Sequence, residues 1–221
     1  MATKTAPDKL MLAKNAIGYF AFLLIFWGFY RLIFQFPEEM EEAILKPLIW
    51  ILPLLWIVFR KEKNNLESLG ITTKNLFPSV YFSFALGAVF VIEGLIGNYL
   101  KHGTLNFGAN IGDKTLLASF GISLITAISE EISFRGFIFN RLSTAFNSEI
   151  IGNLLSTAGW VIIHMPITFF IWKMAPAQAV TYLALTGIFG LGASFVFART
   201  KNVFSSIFLH VLWQWPIILF R

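Results

Sequence analysis

The sequence of 221 residues contains no cysteine, which excludes disulfide bonds, thiolate metal ligands and a cysteine nucleophile. It is also poor in charge, since 13% of its residues are Asp, Glu, Lys or Arg, against about 25% in an average soluble domain. In contrast, 57% of the residues are hydrophobic and the mean hydropathy is +0.71. This composition excludes an ordinary soluble domain and indicates an integral membrane protein surrounded by the lipid bilayer.

The few charges have a basic excess of +5. No basic run interleaved with aromatic residues is present, so the sequence does not indicate a nucleic-acid partner. Lys4, Lys9 and Lys14 precede an apolar run that is longer than the roughly 7–15 residues of a signal-peptide core. We therefore expect a cytoplasmic N-terminal tail over residues 1–15, followed by a retained transmembrane helix.

Apolar segments account for most of the chain, and most of them approach the roughly 20 residues that a spanning helix needs. There are seven: Ala16–Phe36, Ile44–Phe59, Phe77–Leu100, Leu116–Phe139, Ile150–Trp172, Ala179–Ala198 and Val203–Phe220. They predict an all-α fold, a polytopic transmembrane helical bundle of about seven to eight helices. Glu62–Asn75 is a candidate for an eighth, re-entrant or interfacial helix. We divide the bundle into N-terminal transmembrane helices over residues 16–115 and a transmembrane core over residues 116–221.

Basic residues concentrate in the cytoplasmic loops of membrane proteins and so indicate orientation. If the segments alternate in direction, eleven basic residues share one side: Lys4, Lys9, Lys14, Arg60, Lys61, Lys63, Lys74, Arg135, Arg141, Arg199 and Lys201. This distribution predicts a multi-pass inner-membrane protein with a cytoplasmic N-terminus and an outward C-terminus. The same alternation places Lys46 and the acidic run 38–42 outward, and the polar stretch 129–136 toward the cytoplasmic half.

The polar stretch 129–136 places Glu130, Glu131 and Arg135 among apolar residues. A charge at mid-membrane costs roughly 2.5–3.5 kcal/mol on insertion scales, so three charges together need partners or a function. Glu131 and Arg135 are spaced i and i+4, which predicts an ion pair on one helix face. Glu130 is rotated from Glu131 by about 100°. We therefore expect Glu130 to be free to face the bundle interior as a general base.

Two histidines lie inside later segments, His164 in the fifth and His210 in the seventh. Trp160 shares a helix face with His164, and Gln214 shares one with His210, because each pair is four residues apart. A carboxylate and an imidazole can deprotonate a water, and a second imidazole and an amide can donate to an oxyanion. The residues alone leave three readings open: hydrolysis in a dry site, a metal or proton site of a transporter, and a polar network that holds helices together.

At these positions the sequence resembles the CAAX protease and bacteriocin-processing (CPBP) family of glutamic intramembrane proteases, which includes the CAAX prenyl endopeptidases. The family's Glu-Glu-x-x-x-Arg motif is present at residues 130–135. Its Phe-x-x-x-His motif is present at residues 160–164 with Trp160 in place of Phe, and the His-x-x-x-Asn motif of most members at residues 210–214 with Gln214 in place of Asn. The three motifs occur in order, each on its own apolar segment, over about half of the chain.

The resemblance implies an intramembrane endopeptidase that cleaves a membrane-associated protein or peptide without a cofactor. In this family pattern Glu130 and His164 activate water, while His210 and Gln214 meet the oxyanion. The remaining motif residues have supporting roles, and they are Glu131, Arg135 and Trp160.

Two alternatives stay open beside this reading. The first is a zinc-dependent membrane metallopeptidase with Glu130, His164 and His210 as ligands, because three N and O ligands with an open position suit catalytic zinc. The second is a non-proteolytic immunity or regulatory protein of the same fold. No feature of the sequence indicates an oligomeric state.

Overall fold

The computed structural model describes residues 8–34, 36–107 and 114–219, which form helices and connections without any strand. The helices of these residues are α1 Lys9–Ile33, α2 Glu38–Lys61, α3 Leu76–His102, α4 Leu116–Phe146, α5 Glu149–Ile171, α6 Pro176–Thr200 and α7 Val203–Leu219. Helices α1 to α6 are long and apolar enough to cross a membrane, and α7 is a shorter apolar helix. The predicted all-α, polytopic bundle is confirmed.

The N-terminal helix begins earlier than the apolar pattern predicts. α1 starts at Lys9 rather than Ala16, so the second half of the predicted 1–15 tail is helical. Asp8 is the cause, because its carboxylate accepts hydrogen bonds from two backbone N–H groups of the first turn, at 3.0 and 3.3 Å. Such a cap satisfies donors that a helix start otherwise leaves unpaired.

Two further helices extend beyond their apolar segments, and both extensions affect the position of the polar residues. α2 begins at Glu38 rather than Ile44, which places Lys46 two turns inside the helix. α4 continues to Phe146 rather than ending at Phe139. Residues that the sequence placed near segment ends therefore lie well inside helices.

The candidate helix Glu62–Asn75 is not formed as such and contains a single 3-10 turn, Leu66–Leu69. Gly70 ends the turn at φ +74°, a conformation that glycine adopts without steric penalty. The turn packs tightly on α4, since a Cβ on Gly136 would lie 2.6 Å from the carbonyl oxygen of Leu69. Only a glycine fits there without movement of the backbone.

Three of the helices contain π-helical turns, which often mark functional sites. They occupy residues 41–45 and 57–61 of α2, 132–139 of α4 and 167–171 of α5. The turn in α5 follows Pro166, whose missing N–H removes a helical hydrogen bond. The first π-helical turn of α2 ends directly before Lys46, and the π-helical turn of α4 begins directly after Glu131.

α4 is the central helix of the bundle, because it contacts α1, α2, α5, α6 and α7. Its apolar residues join one large core that includes Trp50, Phe134, Phe137, Trp160 and Phe189. The polar residues in the middle of α4 are therefore surrounded by protein, which is where charged side chains in a membrane segment are tolerated.

Candidate active site

The ion pair predicted within α4 is present. Arg135 Nη1 lies 2.9 Å from Glu131 Oε1, and the two side chains are 1% and 0% exposed. The guanidinium also packs 4.5 Å from the ring centroid of Trp160, and its Nη2 donates to the carbonyl of Gly190. These contacts immobilise both charged groups, because a buried charge is tolerated only when paired and hydrogen bonded.

Glu131 has a second partner, His210 of α7. The Nδ1 of His210 lies 2.8 Å from Glu131 Oε1, and an ionised carboxylate can only accept hydrogen bonds. Nδ1 therefore carries a hydrogen, and Nε2 is the nitrogen that faces Glu130, at 3.7 Å from its Oε2. Glu131 thus sets both the protonated nitrogen and the orientation of the imidazole.

Glu130 is not free, contrary to the sequence prediction. Its Oε1 lies 2.6 Å from Nζ of Lys46 in α2, and both side chains are buried, at 9% and 4% exposure. Helical spacing relates a residue only to others on its own helix, so it could not identify a partner that lies 84 positions earlier. Lys46, which the sequence counted among the outward residues, is buried inside the bundle, because α2 starts six residues earlier than its apolar segment.

The contacts continue from Lys46 to the start of α2. Lys46 Nζ also pairs with Glu42, and Glu42 Oε1 lies 2.5 Å from Arg31 Nη2 in α1. Thr126 of α4 donates to Glu42 Oε2 at 2.9 Å. The ionisable groups thus form a continuous series that we call the charge series: Arg31, Glu42, Lys46, Glu130, His210, Glu131 and Arg135.

His164 of α5 is held by its own helix. Its Nδ1 lies 2.7 Å from the carbonyl oxygen of Trp160, to which it donates, and its ring centroid lies 4.5 Å from that of Trp160. The indole also meets the His210 ring edge-on, with 5.8 Å between the centroids. Trp160 therefore packs between the two imidazoles and leaves Nε2 of His164 as the nitrogen available for chemistry.

Gln214 is oriented by a hydroxyl that the sequence did not single out. Ser123 of α4 donates to Gln214 Oε1 at 2.7 Å. This bond leaves the amide nitrogen of Gln214 as a donor without a hydrogen-bond partner among the residues that the structure describes. The longer side chain, in place of the family's Asn, thus reaches across to α4.

The four residues predicted to be catalytic, Glu130, His164, His210 and Gln214, line one cavity of about 1220 Å³. The three predicted supporting residues lie behind this lining: Glu131, Arg135 and Trp160. Aromatic and aliphatic side chains form much of the remaining wall, so the cavity has a polar part and an apolar part.

The cavity opens at one end of the bundle, where α1 ends and α2 and α4 begin. Phe34, Glu38, Glu39 and Lys114 line this mouth. Lys114 pairs with both glutamates, and these hydrogen bonds raise the pKa of Lys114, which keeps its ammonium charged.

The mouth and the catalytic candidates lie at different levels of the bundle. α1 starts at the opposite end of the bundle, and Glu130 lies about halfway along α4 because that helix continues to Phe146. The cavity therefore extends from the middle of α4 toward the end of the bundle opposite the start of α1.

The zinc alternative assigned Glu130, His164 and His210 as ligands of a bound metal ion. Among the described parts of the chain, no group of three or more His, Asp or Glu side chains is arranged to hold one. The cation that the structure places beside Glu130 Oε1 is the Lys46 ammonium.

Sequence reasoning missed the N-terminal contribution to the site: Arg31, Glu42 and Lys46. One signal was available, because Glu42 and Lys46 are spaced i and i+4 at the start of an apolar segment. Ser123 carried no such signal, since a lone serine in a membrane helix is common.

Comparison with known proteins finds a family similar to the C-terminal part of the chain. Residues 112–216 match the family described as Type II CAAX prenyl endopeptidase Rce1-like, and this range contains all three motifs. Over 202 aligned residues the chain is 25% identical to NADH-quinone oxidoreductase subunit L of Buchnera aphidicola subsp. Baizongia pistaciae (strain Bp), covering 84% of this chain and 32% of that protein.

The chain thus spans about a third of the length of that curated relative. No solved structure matches the chain. The family match agrees with the resemblance carried by residues 130–135, 160–164 and 210–214, and the structure gathers these motifs around one cavity. By this match and these motifs, residues 112–216 are similar to the Rce1-like family of CAAX prenyl endopeptidases.

Proposed function

We propose that the chain is a multi-pass intramembrane endopeptidase that hydrolyses a peptide bond of a membrane-associated protein or peptide. The observation that supports this proposal is the cavity itself, in which a buried carboxylate, two imidazoles and a carboxamide meet within a bundle of membrane-spanning helices. These are the groups that water activation and oxyanion stabilisation require.

In the first step Glu130 and His164 hold a water molecule against the carbonyl carbon of the substrate. Lys46 occupies Glu130 Oε1, so Oε2 is the oxygen that takes the proton as the water oxygen forms its bond to carbon. The proton then passes to the amide nitrogen, and the carbon–nitrogen bond breaks. One carboxylate serves as base and then as acid, which returns Glu130 to its ionised form.

The oxyanion of the tetrahedral intermediate is assigned to His210 and Gln214. Gln214 can donate from its amide nitrogen, because Ser123 already occupies its oxygen. The Nδ1 hydrogen of His210 is already donated to Glu131, so Nε2 must be the donor to the oxyanion. This role requires the doubly protonated ring, which the flanking carboxylates Glu130 and Glu131 can neutralise.

The charge series could also conduct protons, but its last member, Arg135, is buried and leads no further. It reaches Arg135, which is 1% exposed and whose other contacts are a backbone carbonyl and the rings of Trp160 and Phe189. A conducting path would continue to the other face of the membrane. We therefore assign the series to electrostatic support of hydrolysis.

The basic residues favour a cytoplasmic N-terminus, and we propose an inner-membrane location on that basis. The substrate then enters the cavity from the outward end, where the mouth residues lie. The apolar walls suit a substrate segment that itself lies in or on the membrane.

The proposal is tested with Glu130→Gln, a substitution close in size that removes the base. We expect it to abolish cleavage while the purified variant still unfolds in one cooperative transition, at a midpoint lowered by the loss of the buried pair with Lys46. Glu93→Gln is the matched control, because Glu93 is an exposed glutamate on α3 outside the cavity.

Because the substrate is not specified by the site, the measurement compares membrane-protein fragments in cells that carry the parent, Glu130→Gln or Glu93→Gln. Fragments that disappear only with Glu130→Gln support the proposal. An identical fragment pattern for the parent and Glu130→Gln would refute the proposal that Glu130 hydrolyses a peptide bond.

A further inference from the structure

Lys46 makes contacts that are unusual for a lysine in a membrane helix. The side chain is 4% exposed, and Nζ pairs with Glu42 and Glu130. Two indole rings flank the ammonium, with centroids 5.2 Å away for Trp27 and 5.7 Å away for Trp50. Lysine near a membrane normally extends its ammonium to the interface, so this buried position needs a specific reason.

Neutralisation of Glu42 is not that reason. Glu42 already pairs with the Arg31 guanidinium at 2.5 Å and accepts a hydrogen bond from Thr126. Glu131 likewise has its own guanidinium, that of Arg135. Each of these carboxylates therefore has a cation apart from Lys46.

Glu130 differs from both of them. Within the described residues its ion-pair partners are Lys46 and His210, at 2.6 and 3.7 Å, so Lys46 is its one permanent cation. Lys46 also pairs with Glu42, four residues earlier on α2. This second pair holds the Lys46 ammonium in place beside Glu130.

We propose that Lys46 is a positioning residue of the active site, whose ammonium is the resident cation that selects which oxygen of Glu130 faces the cavity. Oε1 is held by Lys46, so Oε2 is presented toward His210. The inference rests on the proposed function only in treating Glu130 as the base.

Lys46→Ala removes three methylene groups and the ammonium, which together have the size of propylammonium. The vacated position lies on the cavity, which Lys46, Glu42 and Glu130 all line, so a small cation can reach it. Because breaking a buried ion pair is strongly destabilising, we expect the unfolding midpoint to fall and cleavage to drop by about 100-fold or more. Propylammonium chloride should raise both, whereas 1-propanol, which fills the space without charge, should raise neither.

The matched control is Lys114→Ala, which removes another lysine that pairs with two glutamates on the same cavity, Glu38 and Glu39. That pair lies at the open mouth, so we expect no response of the unfolding midpoint to propylammonium. An equal response in Lys46→Ala and Lys114→Ala, or equal recovery with propanol, would overturn the proposal.

If Lys46→Ala does not fold, Lys46→Arg decides the question, because it keeps the charge but displaces it along a longer, planar group. We expect a folded protein whose cleavage is slower than that of the parent, and cleavage at the parental rate would refute a positioning role. The unfolding readout does not depend on hydrolysis. Recovery of the midpoint by propylammonium in a chain that cleaves nothing would therefore uphold Lys46 as the resident cation and reject the peptidase.

Discussion

Replacement of Arg135 by methionine tests whether the buried charges depend on exact pairing. The substitution keeps a long side chain but removes the ion pair to Glu131 at 2.9 Å and the stacking on Trp160 at 4.5 Å. The carboxylate that remains is 0% exposed, and its Oε2 already has no hydrogen-bond partner among the described residues. Water cannot compensate the lost partner there.

Removing one partner of a buried ion pair costs about 3–5 kcal/mol, because the other charge stays buried and unpaired. This is a large part of the roughly 5–15 kcal/mol by which folded proteins are stable. For a chain of this size each kcal/mol shifts the unfolding midpoint by about 2–4 °C, so we expect Arg135→Met to lower it by roughly 6–20 °C.

The assay is thermal unfolding of the purified protein in detergent, followed by the fluorescence of its 7 tryptophans. The double variant Glu131→Gln/Arg135→Met removes both charges, and the amide oxygen that it introduces can still accept from His210, so most of the loss should be recovered. Lys74→Met is the control, since Lys74 and Glu67 form an exposed pair at 3.6 Å worth about 0–1 kcal/mol. A double variant no more stable than Arg135→Met would refute the reasoning.

Two further predictions concern packing and the amide. Gly136→Ala should lower the free energy of unfolding by about 1–3 kcal/mol, because its Cβ would lie 2.6 Å from the Leu69 carbonyl oxygen. Gly121→Ala is the control, since a Cβ there would meet nothing within 4 Å. In the same unfolding assay it should be neutral or stabilising by up to about 1 kcal/mol. Ser123→Ala and Gln214→Asn each break the 2.7 Å hydrogen bond between these side chains, so each should lower kcat/KM about three- to tenfold. The double variant should lose no more than either single one, and additive losses would show that the bond does not orient the amide.

The sequence predicted those parts of the site that depend on a single helix. The pair of Glu131 and Arg135 follows from i, i+4 spacing, and the structure contains it. Apolar runs likewise placed the helix centres correctly. They misplaced the helix ends, because ends depend on caps such as Asp8 and on polar turns that hydropathy counts against a helix.

Contacts between helices were beyond sequence reasoning for a physical reason. Helical spacing gave Glu130 no partner on its own helix, so we predicted an unpaired carboxylate. In the structure Lys46 pairs with it from α2. Which helix lies beside α4 depends on the packing of many side chains, for which no spacing rule exists. The same holds for Ser123 and Gln214, which meet across α4 and α7.

The division of the chain at residue 116 separates the motifs from groups on which their charges depend. The family match covers residues 112–216 and contains Glu130, but the ammonium that pairs with Glu130 belongs to α2. α2 is in turn joined to α1 through the Arg31–Glu42 ion pair. A core without α1 and α2 would bury Glu130 with His210 as its remaining ion-pair partner in the described residues, an arrangement that strongly disfavours the ionised base. The N-terminal helices are therefore part of the proposed active site, and they supply the cation that pairs with its buried carboxylate.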